Sequence, residues 1–201
     1  MKILNSKLQR DIDAGTPIKL HLGAGETHLE GHYSVDLVEL PGVDVVADLN
    51  APLDLIPDHS VSAIYTRHTL EHIQNFMGLM SELHRICRHD AEITVIVPHF
   101  SNPYFYSDPT HVRPFGLYTM HYFMDKADQP GRSVPEFYTG TRFLLKDTRI
   151  DFYRTSLLDR LAVPILRALI NFSFSTQAMY ERRWVWLWPA WQIHYRLKVK
   201  K

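Results

Sequence analysis

Hydrophobic residues in the first half of the chain occur in short runs separated by glycine, proline and acidic turn residues. Each run is five or six residues long and rich in β-branched or large apolar side chains, which indicates β-strands. The predicted strands span residues 18–22, 33–37, 43–47, 61–66 and 92–97. The last run, EITVIV, suits a strand that is buried on both faces. This succession predicts an α/β domain built on a mostly parallel sheet.

Apolar side chains spaced three and four residues apart predict helices between and after these strands. Residues 69–89 have this spacing at Leu70, Ile73, Met77, Met80, Leu83 and Cys87. Pro114 suits the first turn of another helix that runs to Met124. The apolar stretch 161–170 is too short to span a membrane and predicts a buried helix.

The C-terminal part of the chain returns to strands after a long loop. Residues 98–114 contain four prolines and several aromatic residues, and a loop of this length predicts a lid or a binding loop. Residues 143–153 predict a strand or hairpin. Residues 192–200 alternate strictly between apolar and polar side chains. This period of two predicts a half-exposed strand at a sheet edge.

Composition narrows the class of protein. The 201 residues suit one domain, and 22 basic against 22 acidic residues give a formal net charge of zero. This balance argues against a nucleic-acid partner, because such proteins usually carry a basic excess. The only cysteine, Cys87, fits a reducing compartment. The N-terminal residues have no signal-peptide pattern, so we expect a soluble, cytoplasmic protein; no oligomeric state follows from the sequence.

Candidate ligand-binding residues follow three of the predicted strands. Gly23 and Gly25 come directly after the first strand, Asp36 lies at the end of the second, and Asp48 follows the third. Ligands of open α/β sheets bind at the carboxyl ends of the strands. A glycine turn permits close approach of the backbone, and carboxylates can accept hydrogen bonds from ribose hydroxyls and an adenine amine. The pattern predicts an adenosine-type ligand; alternatively, both acids hydrogen-bond their own loops.

Several sequence strings resemble the class I S-adenosylmethionine-dependent methyltransferases of the type-11-like family. They are LHLGAG, SVDL, VDVVADLNAPLDLIPDHSVSAIYTRHTLEHI, ELHRICRHDAEITVIVPH and, downstream, DPTHVRPF. The resemblance implies a Rossmann-like fold with a seven-stranded, mostly parallel sheet, helices on both faces, and a last strand antiparallel to strand 92–97. It implies S-adenosyl-L-methionine as cofactor and an enzyme of class EC 2.1.1.-.

The resemblance also implies roles for individual residues. Gly23, Ala24 and Gly25 would line the methionine part of the cofactor. Asp36 would hold the ribose, Asp48 and Leu49 would flank the adenine, and His68 would contact the methionine moiety. The neighbouring residues Leu22 and Leu37 are assigned to the same site.

The chain is expected to form a single methyltransferase domain in four parts. These are an N-terminal helical lead (1–17), a cofactor-binding core (18–100), a lid or acceptor-binding insertion (101–142), and C-terminal strands with an aromatic-basic helix (143–201). One departure from the family concerns the first crossover, where only residues 26–32 are available for a helix. We therefore expect a turn there, and a short edge piece for the third strand, because a parallel crossover normally needs a dozen residues or more.

Methyl transfer depends on positioning, with a base for a hydroxyl or protonated-amine acceptor. The long loop supplies three candidate catalytic residues, His99, Asp108 and His111, of which His111 beside Asp108 is the preferred base. Tyr104, Tyr106 and Arg113 are candidates for binding the acceptor. The alternatives are that Asp108-Pro109 only opens a turn, that Arg113 forms a surface ion pair, and that the aromatic residues belong to the core.

A rival motif overlaps the fourth strand. His68-Thr69-Leu70-Glu71-His72 matches H-x-x-E-H, a zinc-peptidase pattern. A zinc hydrolase is therefore an alternative function, and a catalytically silent cofactor-binding module is another. We expect no metal, because His68 precedes the predicted helix and no adjacent helix offers a third ligand.

An aromatic and basic cluster precedes the last predicted strand. It contains Arg182, Arg183, Trp184, Trp186, Trp188 and Trp191. Such a cluster suits peripheral contact with a membrane or stacking on sugars, and it also suits ordinary packing. The expected acceptor is a small molecule or a glycan precursor, methylated on oxygen or nitrogen.

Overall fold

The computed structural model describes all 201 residues and contains one eight-stranded sheet. The strands are β1 (Lys2–Ile3), β2 (Ile18–Leu22), β3 (Tyr33–Asp36), β4 (Val45–Val46), β5 (Val61–Arg67), β6 (Cys87–Pro98), β7 (Phe143–Asp151) and β8 (Gln192–Val199). Their order across the sheet is β1-β4-β3-β2-β5-β6-β8-β7. Strands β2 to β6 are mutually parallel, and β8 is antiparallel to both of its neighbours. The predicted fold class is confirmed, with β1 as an additional antiparallel strand.

Four α-helices accompany the sheet: α1 (Ser6–Asp13), α2 (Phe76–Ile86), α3 (Leu157–Ile170) and α4 (Phe174–Arg183). Helix α1 buries Leu8 completely against β1 and β2. The N-terminal lead therefore holds a short strand as well as the predicted helix. Helix α3 begins with a capping box between Ser156 and Asp159, which satisfies backbone amides that a first helical turn leaves free.

The predicted helix over 69–89 is interrupted. A single 3-10 turn at Leu70–His72 precedes α2, and β6 already begins at Cys87. The interruption is held by Asn50, whose side-chain oxygen accepts hydrogen bonds from the backbone amides of Gln74 and Asn75. Asn75 then caps α2 by accepting from Gly78 N. Apolar periodicity alone did not reveal this distant partner.

The predicted helix from Pro114 to Met124 is wrong for its first half. Phe115 is extended and forms an isolated bridge with His99, and only Thr119–Phe123 forms a 3-10 helix. The carbonyl oxygen of Gly116 accepts a hydrogen bond of 2.6 Å from the Tyr195 hydroxyl. Tertiary partners therefore take backbone groups that an α-helix would need.

Strand β8 has the predicted alternation but not the predicted place at a sheet edge. Ile193, Tyr195, Leu197 and Val199 are buried. The strand pairs with β6 on one side and β7 on the other along its length. It therefore lies inside the sheet, antiparallel beside the fifth predicted strand as expected, and β7 forms the edge.

The crossovers around β3 contain no helix, as the short links predicted. Residues 23–32 connect β2 to β3 through turns, and residues 37–44 connect β3 to β4. Strand β4 is only two residues long and runs parallel to β3. It is not an edge piece, because β1 pairs with its outer side.

Helix α3 forms as predicted, but the prediction that it is buried is wrong. Leu161, Ile165 and Leu169 are 71%, 64% and 65% exposed. Only Val163 and Ile170 are buried in the helix. No helix in the structure has the length and apolar character needed to cross a bilayer.

Candidate functional site

A cleft of about 290 Å³ opens where β2, β3, β4 and β5 end. Most residues predicted to bind the cofactor line this one cleft: Gly23, Gly25, Asp36, Leu37, Asp48, Leu49 and His68. Leu22 and Ala24 are buried and do not line it. Five further residues line the cleft that the sequence did not indicate, which are Ala47, Asn50, Thr69, His72 and Ile73.

The glycine turn is closed by an acidic side chain from the next strand. Gly23 has a φ of +64°, and a Cβ atom there would overlap the side chain of Thr69. Gly25 N donates a 2.8 Å hydrogen bond to Asp36 Oδ2, and Val38 N donates to Asp36 Oδ1 at 3.2 Å. Asp36 therefore braces the turn while its carboxylate remains on the cleft wall.

Asp48 both hydrogen-bonds its own loop and lines the cleft, so it has features of the two interpretations that the sequence allowed. Its Oδ1 atom accepts hydrogen bonds from the backbone and side-chain nitrogens of Asn50, at 2.8 Å and 3.0 Å. These bonds form the self-contained loop turn of the alternative reading. Oδ2 has no such partner in the chain, and the residue lines the cleft. One oxygen thus orders the loop and leaves the other for a ligand.

His68 lies at the end of β5 in an unusual backbone conformation. Its φ is +51°, in the left-handed region that non-glycine residues rarely adopt. Its side chain is 34% exposed, and Nδ1 lies 3.4 Å from Glu71 Oε1. Such strain persists where the surrounding structure enforces it, and it clusters at functional sites.

The structure brings together the predicted pair of His111 and Asp108. His111 Nε2 lies 3.6 Å from Asp108 Oδ2, and His111 Nδ1 lies 2.9 Å from the carbonyl oxygen of Phe105. Hydrogen bonds from Thr110 lower the pKa of Asp108, so that this carboxyl stays charged beside the imidazole. The His111 ring lies 4.8 Å from the ring of His72, which lines the cleft.

The structure removes His99 from the candidate catalytic group. Its side chain is completely buried. Ser101 N donates to His99 Nδ1 at 3.2 Å, so Nε2 carries the proton and faces Glu181 Oε1 at 3.1 Å. Both nitrogens are occupied inside the protein, and no acceptor can reach them.

The three candidate acceptor-binding residues lie in different surroundings. Tyr104 is 68% exposed and packs edge-on against Tyr153, which stacks on Trp191, itself stacked on His68. Tyr106 is equally exposed and donates its hydroxyl to the carbonyl of Phe100. Both tyrosines therefore belong to rows of ring contacts that reach the cleft, Tyr104 through Trp191 and His68, and Tyr106 through Phe105, His111 and His72.

Arg113 lies apart from the cleft. Its guanidinium sits 5.0 Å from the ring centroid of Phe76 and contributes to a second cavity of about 360 Å³. This cavity is lined by other residues than the cleft. Arg113 is therefore not placed to contact a ligand in the cleft, and its predicted substrate-binding role is not supported by its position.

The rival H-x-x-E-H motif is not a helical pair of histidines. His68 precedes the single 3-10 turn that holds Glu71 and His72. However, the loop residue His111 joins Glu71 and His72, and ligand atoms of these three residues lie within 4.8 Å of one another. This third residue comes from the loop after β6 and not from a neighbouring helix, where a third ligand was expected.

Solved structures share this architecture over nearly the whole chain. A SAM-dependent methyltransferase from Archaeoglobus fulgidus is 20% identical, with a TM-score of 0.56 over 96% of this chain and 91% of that one. YcgJ from Bacillus subtilis is 14% identical, with a TM-score of 0.52 over 96% and 97%. A methyltransferase candidate from Bacillus halodurans is 14% identical, with a TM-score of 0.54 over 96% and 99%. The chain therefore has the Rossmann-like fold of class I methyltransferases.

No protein-family model matches the sequence, and the comparison with curated proteins found no match.

Proposed function

We propose that the protein is an S-adenosyl-L-methionine-dependent methyltransferase of class EC 2.1.1.-. The observation that carries this proposal is the convergence of Gly23, Asp36, Asp48 and His68 on one cleft at the carboxyl ends of parallel strands. The donor set fits an adenosyl ligand, because it offers carboxylate acceptors for ribose hydroxyls and an adenine amine but no cradle for a diphosphate. The fold shared with solved methyltransferases supports the same choice.

Each residue of the site would contact a different part of the cofactor. Asp36 would hold the ribose, Asp48 and Leu49 the adenine, and the Gly23 turn with His68 the methionine moiety. Bound S-adenosyl-L-methionine supplies a methyl group on an electrophilic sulfonium. His111, kept next to the charged Asp108, would take the proton of a hydroxyl or amine acceptor. The remaining contribution is alignment of the acceptor with the methyl carbon.

The surface beside His68 supports a choice of acceptor class. Trp191, Tyr153 and Tyr104 form the aromatic row that continues from the cleft. Aromatic faces stack on sugars and on planar small molecules. We therefore propose a small-molecule or glycan-precursor acceptor, methylated on oxygen or nitrogen.

Calorimetry with S-adenosylhomocysteine tests the proposal. We expect wild-type protein to bind it, and Asp36→Ala to bind it roughly 10- to 150-fold more weakly, because hydrogen bonds to a charged group contribute about 1.5–3 kcal/mol. Asp54→Ala, an exposed acid outside the cleft, is the control and should bind like wild type. The absence of any binding heat with wild type would overturn the proposal. Equal binding by Asp36→Ala would overturn the site assignment.

Two alternatives remain distinguishable by experiment. A catalytically silent module would bind the cofactor and keep its biological activity after His111→Ala. A zinc hydrolase would bind metal but not S-adenosylhomocysteine.

The exposed Trp184, Trp186 and Trp188 also support a proposed peripheral contact with a membrane.

A further inference from the structure

Glu71 is a buried carboxylate that lacks hydrogen-bond partners. The residue is 0% exposed, and neither Oε1 nor Oε2 accepts a hydrogen bond. Burying an unpaired carboxylate is costly, so buried charges normally have a partner or coordinate a metal. The backbone around Glu71 is well held, because its carbonyl oxygen accepts hydrogen bonds from Val112 N at 2.8 Å and Arg113 N at 3.3 Å. The same bonds hold the loop that carries His111 against the Leu70–His72 turn.

His111 directs its Nε2 atom toward this carboxylate. The carbonyl oxygen of Phe105 can only accept a hydrogen bond, so His111 Nδ1 carries the proton. In the neutral imidazole the lone pair is then on Nε2, which lies 4.0 Å from Glu71 Oε1. Histidine ligands of metals typically donate their other nitrogen to a backbone carbonyl in this way.

His72 is oriented by a similar chain of hydrogen bonds. The Thr110 hydroxyl donates its proton to Asp108 Oδ1 at 2.6 Å. Its oxygen is therefore free to accept from His72 Nδ1, which is 2.9 Å away. This fixes one tautomer of His72 and links the imidazole to a carboxylate, as in the outer shell of zinc sites.

We propose that Glu71, His72 and His111 bind a divalent transition-metal ion. Their ligand atoms lie within 4.8 Å of one another, and ligand bonds of about 2.0–2.2 Å require only small side-chain rotations to close around an ion. Two imidazoles and one carboxylate suit Zn²⁺ and similar ions, with coordination positions left open for a substrate. His68 lines the cleft, and its Nδ1 lies 3.4 Å from Glu71 Oε1, so a bound ion would lie close to this histidine as well.

The position of the ion gives it a role that rests on the proposed methyltransferase function. His72 lines the cofactor cleft, so an acceptor oxygen bound to the ion would lie next to the methyl donor. A bound ion would lower the pKa of a coordinated hydroxyl, whose proton would pass to solvent. The oxygen would then form a bond to the methyl carbon as the carbon–sulfur bond breaks, and S-adenosylhomocysteine would leave as a neutral thioether. With an ion bound, His111 would serve as a metal ligand, and the ion would replace it in the base role proposed above.

Metal binding can be measured without the cofactor. The protein is stripped of metal with a chelator. It is then titrated with Co²⁺, followed by visible absorption, and with Zn²⁺, followed by calorimetry. We expect one equivalent to bind to wild type and to His28→Asn, a control that changes a histidine outside the proposed site. Glu71→Gln, which keeps the shape of the side chain, and His111→Asn should weaken binding more than 100-fold. Thr110→Val should weaken it about 10- to 100-fold through His72.

The proposed metal site is wrong if wild-type protein binds no metal, or if Glu71→Gln binds metal as tightly as wild type. Calorimetry with S-adenosylhomocysteine is run separately. If the protein binds metal but not S-adenosylhomocysteine, the metal site holds and the proposed function is wrong. If it binds S-adenosylhomocysteine but not metal, the proposed function holds and the metal site is wrong.

Discussion

Gly23 and Gly25 differ in what surrounds them, although both have positive φ angles of +64° and +53°. A Cβ atom at Gly23 would overlap Thr69, whereas one at Gly25 meets open space. We expect Gly25→Ala to carry only backbone strain, roughly 1–3 kcal/mol. Gly23→Ala adds a steric clash and should show the lower melting temperature and the weaker binding of S-adenosylhomocysteine. Equal losses in the two variants would contradict this account of the turn.

At the residue scale, the sequence predicted those cleft residues that lie at the ends of strands, because the place of a residue along a strand determines its place in the fold. Asp36 and Asp48 follow strand ends, and parallel strands bring such ends to one edge. Glu71 and His111 were not grouped, because their proximity depends on how the loop after β6 folds back onto the Leu70–His72 turn. The position of Arg113 over Phe76 was not predicted for the same reason, because nothing in the local sequence indicates this contact.

At the element scale, the 3-10 segment Thr119–Phe123 carries a histidine whose ionisation opposes folding. His121 is completely buried, stacked on Phe174 of α4. Burial lowers its pKa below the usual 6.5, and the nearby backbone of Arg132 offsets this only in part. The neutral form is therefore favoured in the folded state. Stability is fully present above about pH 6.5 and is lost as the pH falls toward the lowered pKa, because the unfolded chain takes up the proton first.

Replacing His121 tests this element directly. Thermal unfolding in the presence of a chelator should show a lower melting temperature at about pH 5 than at about pH 7. His121→Phe should reduce this difference, while the control His28→Phe should leave it unchanged. His21, whose pKa is also lowered by burial, accounts for part of the remainder. If the pH dependence is identical in His121→Phe and wild type, residues Thr119–Phe123 unfold before His121 takes up its proton.

Elements were predicted well where local pattern and tertiary pairing agree. The alternation of β8 identified the strand and its polar face, but alternation cannot distinguish an edge from an interior position, which depends on the strands that pair on either side. His194, on that face, pairs with Asp151 of β7 at 2.8 Å. Likewise the helix predicted from Pro114 failed because Tyr195, far along the chain, binds the carbonyl of Gly116. Long-range hydrogen bonds of this kind leave no periodic signal.

At the scale of the whole molecule, the zero net charge conceals an uneven distribution. The segment 152–191 contains five arginines and two acidic residues. One of those acids, Glu181, faces inward to His99. The same segment exposes an apolar patch along one face of α3 and just beyond it, made of Leu157, Leu158, Leu161, Ile165, Leu169 and Phe172. Helix α4, which packs on α3, leads into the exposed tryptophans.

An apolar helix face flanked by arginines and tryptophans suits the interface of an anionic bilayer. We expect the protein to co-sediment with vesicles that contain anionic phosphatidylserine, and less with neutral phosphatidylcholine vesicles or at high salt. Leu161→Glu with Ile165→Glu should reduce binding at least tenfold, since burying one such side chain contributes about 1.5–3 kcal/mol. Both positions are exposed, at 71% and 64%, so folding should survive, which circular dichroism checks. Leu55→Glu, at an exposed leucine outside this segment, is the matched control. If wild type, control and double variant bind alike, or none binds, the patch does not contact a membrane.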